Sequence, residues 1–159
     1  MTQKSIRTAI QKVNNTVMVY AYKNADQTGL TASSWNKLSL DKVVYDAGQN
    51  YDTTQHKFIA PVTGLYKIRG SVSFTSVIAT KAYQVALYKN GSALKYEAGH
   101  SSTADDVSVP IEIEVFLQAD DYIELYANPL AGANTVAAKS GSAYTTLTIR
   151  LITKEGIRQ

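Results

Sequence analysis

Residues 64–76 read GLYKIRGSVSFTS. Tyr66, Ile68, Val72 and Phe74 fall on one side of this stretch, and Lys67, Arg69, Ser71, Ser73 and Thr75 on the other. A period of two is that of a β-strand, with one face on a core and the other toward water. Gly70 holds an apolar-face position in the middle of the run. A glycine there predicts a bulge or the close approach of a neighbour.

The same period recurs on both sides of this stretch. Val107, Val109, Ile111, Ile113, Val115 and Leu117 alternate through a second long strand, with Pro110 on its opposite face. Proline cannot donate to a ladder, so this strand is predicted at an edge or a bulge. Tyr83, Val85 and Leu87 lead into Asn90-Gly91, and Ala93–Tyr96 returns. Asn-Gly favours a tight hairpin because both turn positions need positive φ. Shorter alternating runs cover 17–22, 38–45, 57–60, 122–127 and 144–152. Roughly eight to ten short strands with little helix predict a two-sheet sandwich. Jelly-roll and immunoglobulin-like forms both fit that number.

The 159 residues suit one domain. The chain has no cysteine and two histidines, His56 and His100, which excludes disulfides, thiol nucleophiles and cysteine-bound metal. No apolar run is long enough to span a membrane, and the start shows no secretory pattern. The expected division is a basic arm at 1–15, the strand-rich domain at 16–153 and a short tail at 154–159. In the arm, Ile6, Ala9, Ile10 and Val13 share a helical face, and Lys4, Arg7 and Lys12 supply charge without any acid. Two readings suit it: a frayed terminus, or a segment that orders against a partner.

Tyrosine is the oddity of the composition, with 11 against three Phe and one Trp. Tyr88, Phe116, Tyr122, Tyr126 and Tyr144 fall out of phase with the core positions of their strands. Outward aromatics suit a covered surface, because a tyrosine ring buries area while its hydroxyl tolerates water. The alternative is scattered exposed tyrosine. The contact residues expected are Tyr66, Tyr88, Phe116, Tyr122, Tyr126 and Tyr144.

The segment 40–70, LDKVVYDAGQNYDTTQHKFIAPVTGLYKIRG, resembles the signature of the complement C1q-like globular head. Asp46, Tyr51, Phe58, Gly64 and Tyr66 stand at the family's spacings. Leu40, Ile68 and Gly70 replace aromatics of the pattern. VALYKNGSAL at 85–94 is similar to its central hairpin, and SGSAYTTLTIRLI at 140–152 to its last strand. LQADDYIELYA at 117–127 is similar to its late turn, with Asp120 in place of a glycine. The resemblance covers roughly 16–152. It implies a jelly roll of about ten strands, related to tumour necrosis factor and assembling as a homotrimer. The absence of a collagen stalk and the opening VYAYKNADQTGLTASSWNKLSLD at 19–41 resemble the bacteriophage and bacterial members. Some members of the family bind calcium, for which Glu112 and Glu114 on one strand face are the candidates here. A solvated strand face is the preferred reading of that pair, and no cofactor is expected.

No catalytic set emerges. Asp105-Asp106 and Asp120-Asp121 suit turn chemistry. Neither histidine has a partner at ligand spacing. Tyr88 and Lys89 alternate across a strand, so no basic stacking face for nucleic acid is expected. With the resemblance to bacteriophage members, the implied expectation is a non-enzymatic virion protein with no nucleic-acid or membrane partner, made in the host cytoplasm. Its favoured form is a capsid decoration protein, with Lys4, Ile6, Arg7, Ile10, Lys12 and Val13 gripping the major capsid protein. The alternative is a receptor- or carbohydrate-binding module at a fibre tip or cell surface, using loops 24–34, 99–106 and 129–142.

Overall fold

In a computed structural model of the chain, Gly70 lies flat in the middle of a twelve-residue strand, paired with Leu147 on one side and Ile111 on the other. The structure describes residues 2–3, 16–130 and 135–155. The arm positions Lys4, Ile6, Arg7, Ile10, Lys12 and Val13 lie outside the described residues.

Twelve strands follow in chain order: β1 (Met18–Tyr22), β2 (Asn36–Lys37), β3 (Lys42–Ala47), β4 (Tyr51–Asp52), β5 (Lys57–Ile59) and β6 (Gly64–Thr75), then β7 (Ala82–Lys89), β8 (Ser92–His100), β9 (Val107–Leu117), β10 (Tyr122–Pro129), β11 (Ala137–Ala138) and β12 (Thr146–Lys154). They form two antiparallel sheets. In the first, β6 pairs with β9 along one edge, and with β12 and then β11 along the other. β12 continues to β1 and β1 to β3. In the second, the order runs β4, β5, β10, β7, β8, with β2 also on β10. This is the expected all-β jelly-roll sandwich. β2, β4 and β11 are two-residue pairings within what the periodicity leaves as loop.

The inward faces close on each other. Phe58, Tyr66, Phe74 and Tyr83 are fully buried. Phe58 meets Tyr66 edge-on at 5.8 Å, and Phe74 meets Tyr83 at 5.1 Å. Aromatic pairs at such spacing add about 0.5–1.5 kcal/mol beyond the area they bury. Tyr83 keeps its hydroxyl satisfied by accepting from the Ile78 N–H and donating to the Ile78 carbonyl. Leu38 and Leu40 are also fully buried, although they sit past β2 rather than in a strand.

The special residues resolve as follows. The ladder from Gly64 to Phe74 against β9 is unbroken at Gly70, so close approach and not a bulge explains that glycine. A Cβ there would stand 2.9 Å from Leu125 of the opposite sheet. Pro110 sits on β9, an edge strand of the first sheet, where its missing N–H leaves no ladder bond unmade. Asn90 and Gly91 both take positive φ, 51° and 80°. Their hairpin docks on the β9–β10 turn: Asn90 accepts from the Tyr122 N–H at 2.9 Å and donates to Asp121 at 2.7 Å.

Candidate functional site on the outer faces

Strand order decides which of the outward aromatics meet. β7 and β10 are neighbours, with Tyr88 opposite Glu124 and Ala86 opposite Tyr126. The rings of Tyr88 and Tyr126 stack at 4.0 Å with a 21° interplanar angle. Trp35, from the loop before β2, meets Tyr88 edge-on at 6.2 Å. Tyr122 lies two steps before Glu124 on the same face, with the Lys57 ammonium 4.7 Å from its ring centre. Between these rings the Glu124 carboxylate is buried and paired with Lys37. Burial and the Glu124 carboxylate push the Tyr126 hydroxyl above its ordinary range.

Phe116 and Tyr144 belong elsewhere. Phe116 pairs with Leu65 at one end of the first sheet, on its outer face. Tyr144 leads into β12, with the Lys139 ammonium 4.4 Å from its ring centre. The expected contact residues therefore divide between opposite faces of the sandwich. Tyr66 faces neither. It is completely buried in the core, where its hydroxyl donates to the Val62 carbonyl at 2.7 Å. Its phase with Ile68 and Val72 already marks it as a core residue, so it is removed from the contact set.

Beyond Phe116, the first sheet carries apolar surface that periodicity did not single out. Tyr20 of β1 meets Tyr45 of β3 edge-on at 5.8 Å, and its hydroxyl donates to the Ser142 carbonyl. Met18, Val43, Val44, Tyr45, Phe116 and Ile152, all on strands of this sheet, are exposed. Val44 falls where the β1–β3 register shifts, so one residue of the edge strand bulges outward. A bulged, exposed edge strand cannot be read from alternation, because the bulge breaks it.

Between these apolar ends lies a charged centre. Lys67 bonds Glu112 at 3.0 Å and reaches Glu114 at 4.0 Å; Arg69 reaches Glu112 at 3.6 Å. The hydrogen bond from Lys67 holds the Glu112 carboxyl below its ordinary range. The pair considered for calcium thus faces two cations on β6. Asp121 accepts from Lys89, Asn90 and the Gln118 N–H, and Asp106 from Lys139, so both adjacent-aspartate stretches serve turns and loops. His56 holds a positive φ of 55° and contacts the Leu40 carbonyl at 3.0 Å. Among the described residues no cluster of three or more His, Cys, Asp or Glu could hold a metal ion.

Comparison with known proteins agrees with this architecture. The globular domain of zebrafish complement 1qA superposes with a TM-score of 0.63 at 14% identity, covering 89% of this chain and 100% of that one. Eiger TNF from S. frugiperda gives 0.67 at 10% identity, covering 91% and 98%. These likenesses show the fold. Phage-like element PBSX protein XkdV of Bacillus subtilis (strain 168) is 24% identical over 130 residues, 75% of this chain and 18% of that protein. Uncharacterized protein YqcC of the same bacterium is 29% identical over 79 residues, 48% of this chain and 22% of that protein. The chain thus spans only about a fifth of the length of these curated relatives. C1q-domain proteins are in general not enzymes, and no catalytic family is indicated. A model of the C1q domain matches residues 9–147, and the chain belongs to that family.

Proposed function

We propose that this chain is a non-enzymatic virion structural protein that works as a homotrimer. The observation that carries the virion assignment is the alignment of three-quarters of the chain with a phage-like element protein. The homotrimer is supported by the family and by the apolar surface on the first sheet. A ring of three uses two different patches of each subunit, set at a steep angle so that the ring closes. Two opposite faces of one sandwich would instead propagate a filament. The contact is accordingly assigned to the first sheet and its margins, with Phe116, Tyr144, Tyr45 and Met18 in it. Tyr88, Tyr122 and Tyr126 stay outside it.

Within the virion the proposed place is the capsid surface, as a decoration protein held by the arm at 1–15 against the major capsid protein. A second reading is favoured by the size of the relatives. A C1q domain making up about a fifth of a longer phage-element protein suits a recognition module at the end of a fibre.

Gold-labelled antibody against the chain, applied to purified virions, tests the assignment. Label over the capsid supports decoration. Label confined to the tail end replaces decoration by the recognition module, and particles without label overturn the virion role. Light scattering tests the assembly: the expected mass is three times 17.3 kDa, kept by a chain beginning at Asn15. A Phe116→Glu chain should fall to the monomer mass while Tyr88→Glu stays trimeric. The reverse pattern would move the contact to the second sheet.

A further inference from the structure

The outer face of the first sheet holds a groove of about 380 Å³, lined by Lys67, Arg69, Arg150, Glu112, Tyr45 and Met18 among others. That volume lies in the range of small-molecule sites, about 300–1,000 Å³. Three cations line it against one carboxylate. The strand register explains the imbalance. Arg150 of β12 stands directly opposite Lys67 of β6, and Thr148 opposite Arg69. Like charges directly opposite across a ladder are destabilising. Both nearby carboxylates, Glu112 and Glu114, come from β9, on the far side of β6. They engage Lys67 and the Nε of Arg69. Among the described residues no carboxylate lies within ion-pair distance of Arg150. On its other side β1 offers Met18. The guanidinium of Arg150 therefore borders the groove with its donors uncommitted to any acid, and Arg69, engaged by Glu112, stands on the same face opposite Thr148. Guanidinium groups present a planar fork of donors that matches an oxyanion.

We infer that this groove is a binding site for a phosphate-type oxyanion, clasped by Arg150 and Arg69 and bordered by Lys67. The anion balances the charge of Arg150, which the acids of β9, engaged by Lys67 and Arg69, do not reach. The groove shares Met18 and Tyr45 with the proposed subunit contact, so the inference rests on that reading leaving Arg150 and Arg69 within reach of an anion in the assembly.

The test is a titration of the full chain with sodium phosphate, against sodium chloride at equal ionic strength, followed by calorimetry and thermal melting. Phosphate should raise the melting temperature with a saturating dependence, and chloride should not. Arg150→Gln should weaken phosphate binding about tenfold or more, the loss of a charge-assisted pair, and Arg150→Lys should restore part of it. Equal responses to the two salts overturn the site, as does phosphate binding unchanged in both Arg150→Gln and Arg69→Gln. Should Arg150→Gln fold poorly, Arg150→Lys and Arg69→Gln carry the comparison. Glycerol 3-phosphate distinguishes the source: tighter binding than inorganic phosphate assigns the groove to a phosphate borne on a larger molecule, equal binding to the free ion. Light scattering in the same samples separates this result from the assembly, since a trimer indifferent to phosphate sinks the site alone.

Discussion

Leu125 of β10 occupies the space that a side chain on Gly70 of β6 would need. A Cβ on Gly70 would lie 2.9 Å from Leu125 Cδ1 and 3.0 Å from Ile111 Cγ2. The family's aromatic at this position is thus replaced by a glycine, and the facing leucine from the opposite sheet fills the layer. Gly70→Ala should destabilise the chain by about 1–3 kcal/mol, the cost of overpacking a tight core. The two contacting atoms are side-chain ends that can give slightly, which puts alanine at the low end and Gly70→Val above it. Urea unfolding of Gly70→Ala, Leu125→Ala and the double variant measures it. A coupling below about 0.5 kcal/mol would mean the two positions do not compete for space.

Asp120 adopts a φ of 70° in the turn between β9 and β10. An L-residue in this conformation costs roughly 1–2 kcal/mol unless local hydrogen bonding offsets it, and aspartate is among the few that tolerate it. Asp120→Gly relieves the cost but loosens the unfolded chain by about 0.5–1 kcal/mol. A net gain of up to about 1 kcal/mol is expected, which for a chain this long raises the melting temperature by about 2–4 °C. Asp120→Ala should go the other way. A thermal melt in which glycine lowers stability would show that the Asp120 side chain itself supports the turn.

The strands carry their faces in the sequence because each residue's phase is a local property. β6, β9 and the Asn90-Gly91 hairpin were legible for that reason. Meetings between strands were not. Tyr88 and Tyr126 stack only because β7 lies beside β10, and Phe116 is separated from them because β9 joins the other sheet. Trp35 belongs to no period at all, being held by a loop whose Asn36 side chain accepts from the Thr31 N–H and donates to the carbonyls of Thr31 and Ser34. The groove at Arg150 was equally hidden. Its charge imbalance exists only in the register that sets Arg150 against Lys67, while the acids of β9 stay one strand away.

Asp121 gives the stability a pH dependence of definite sign. Burial would raise its carboxyl, but hydrogen bonds from Lys89, Asn90 and the Gln118 N–H together outweigh it and hold the group below the usual range. A depressed folded pKa means stability that is complete above the unfolded value near 3.9 and lost as pH falls through the folded value. Acid should therefore loosen the docking of the Asn90 hairpin below about pH 4. Asp121→Asn should be less stable at neutral pH and should flatten the acid limb of the stability curve. Urea midpoints between pH 7 and pH 2 are the measurement. An unchanged acid limb in the variant would exclude Asp121 as its source.

Lys37 and Glu124 form the pair with most at stake on the second sheet, because the Glu124 side chain is only 8% exposed and the Lys37 side chain 33%. Removing one partner of a buried pair leaves the other charged and without compensation, at a cost of about 3–5 kcal/mol. Lys37 is partly solvated, so Lys37→Met should fall at the lower end of that range or below it. Glu124→Gln keeps shape and hydrogen-bonding capacity and should cost less. The informative variant is the double replacement, Lys37→Met with Glu124→Leu. It removes both charges and leaves an apolar layer beside Tyr88 and Tyr126, so it should regain most of what Lys37→Met loses. Recovery in the double variant identifies the uncompensated carboxylate as the cause. A double variant no better than Lys37→Met would place the cost in the packing of the lysine stem against its neighbours.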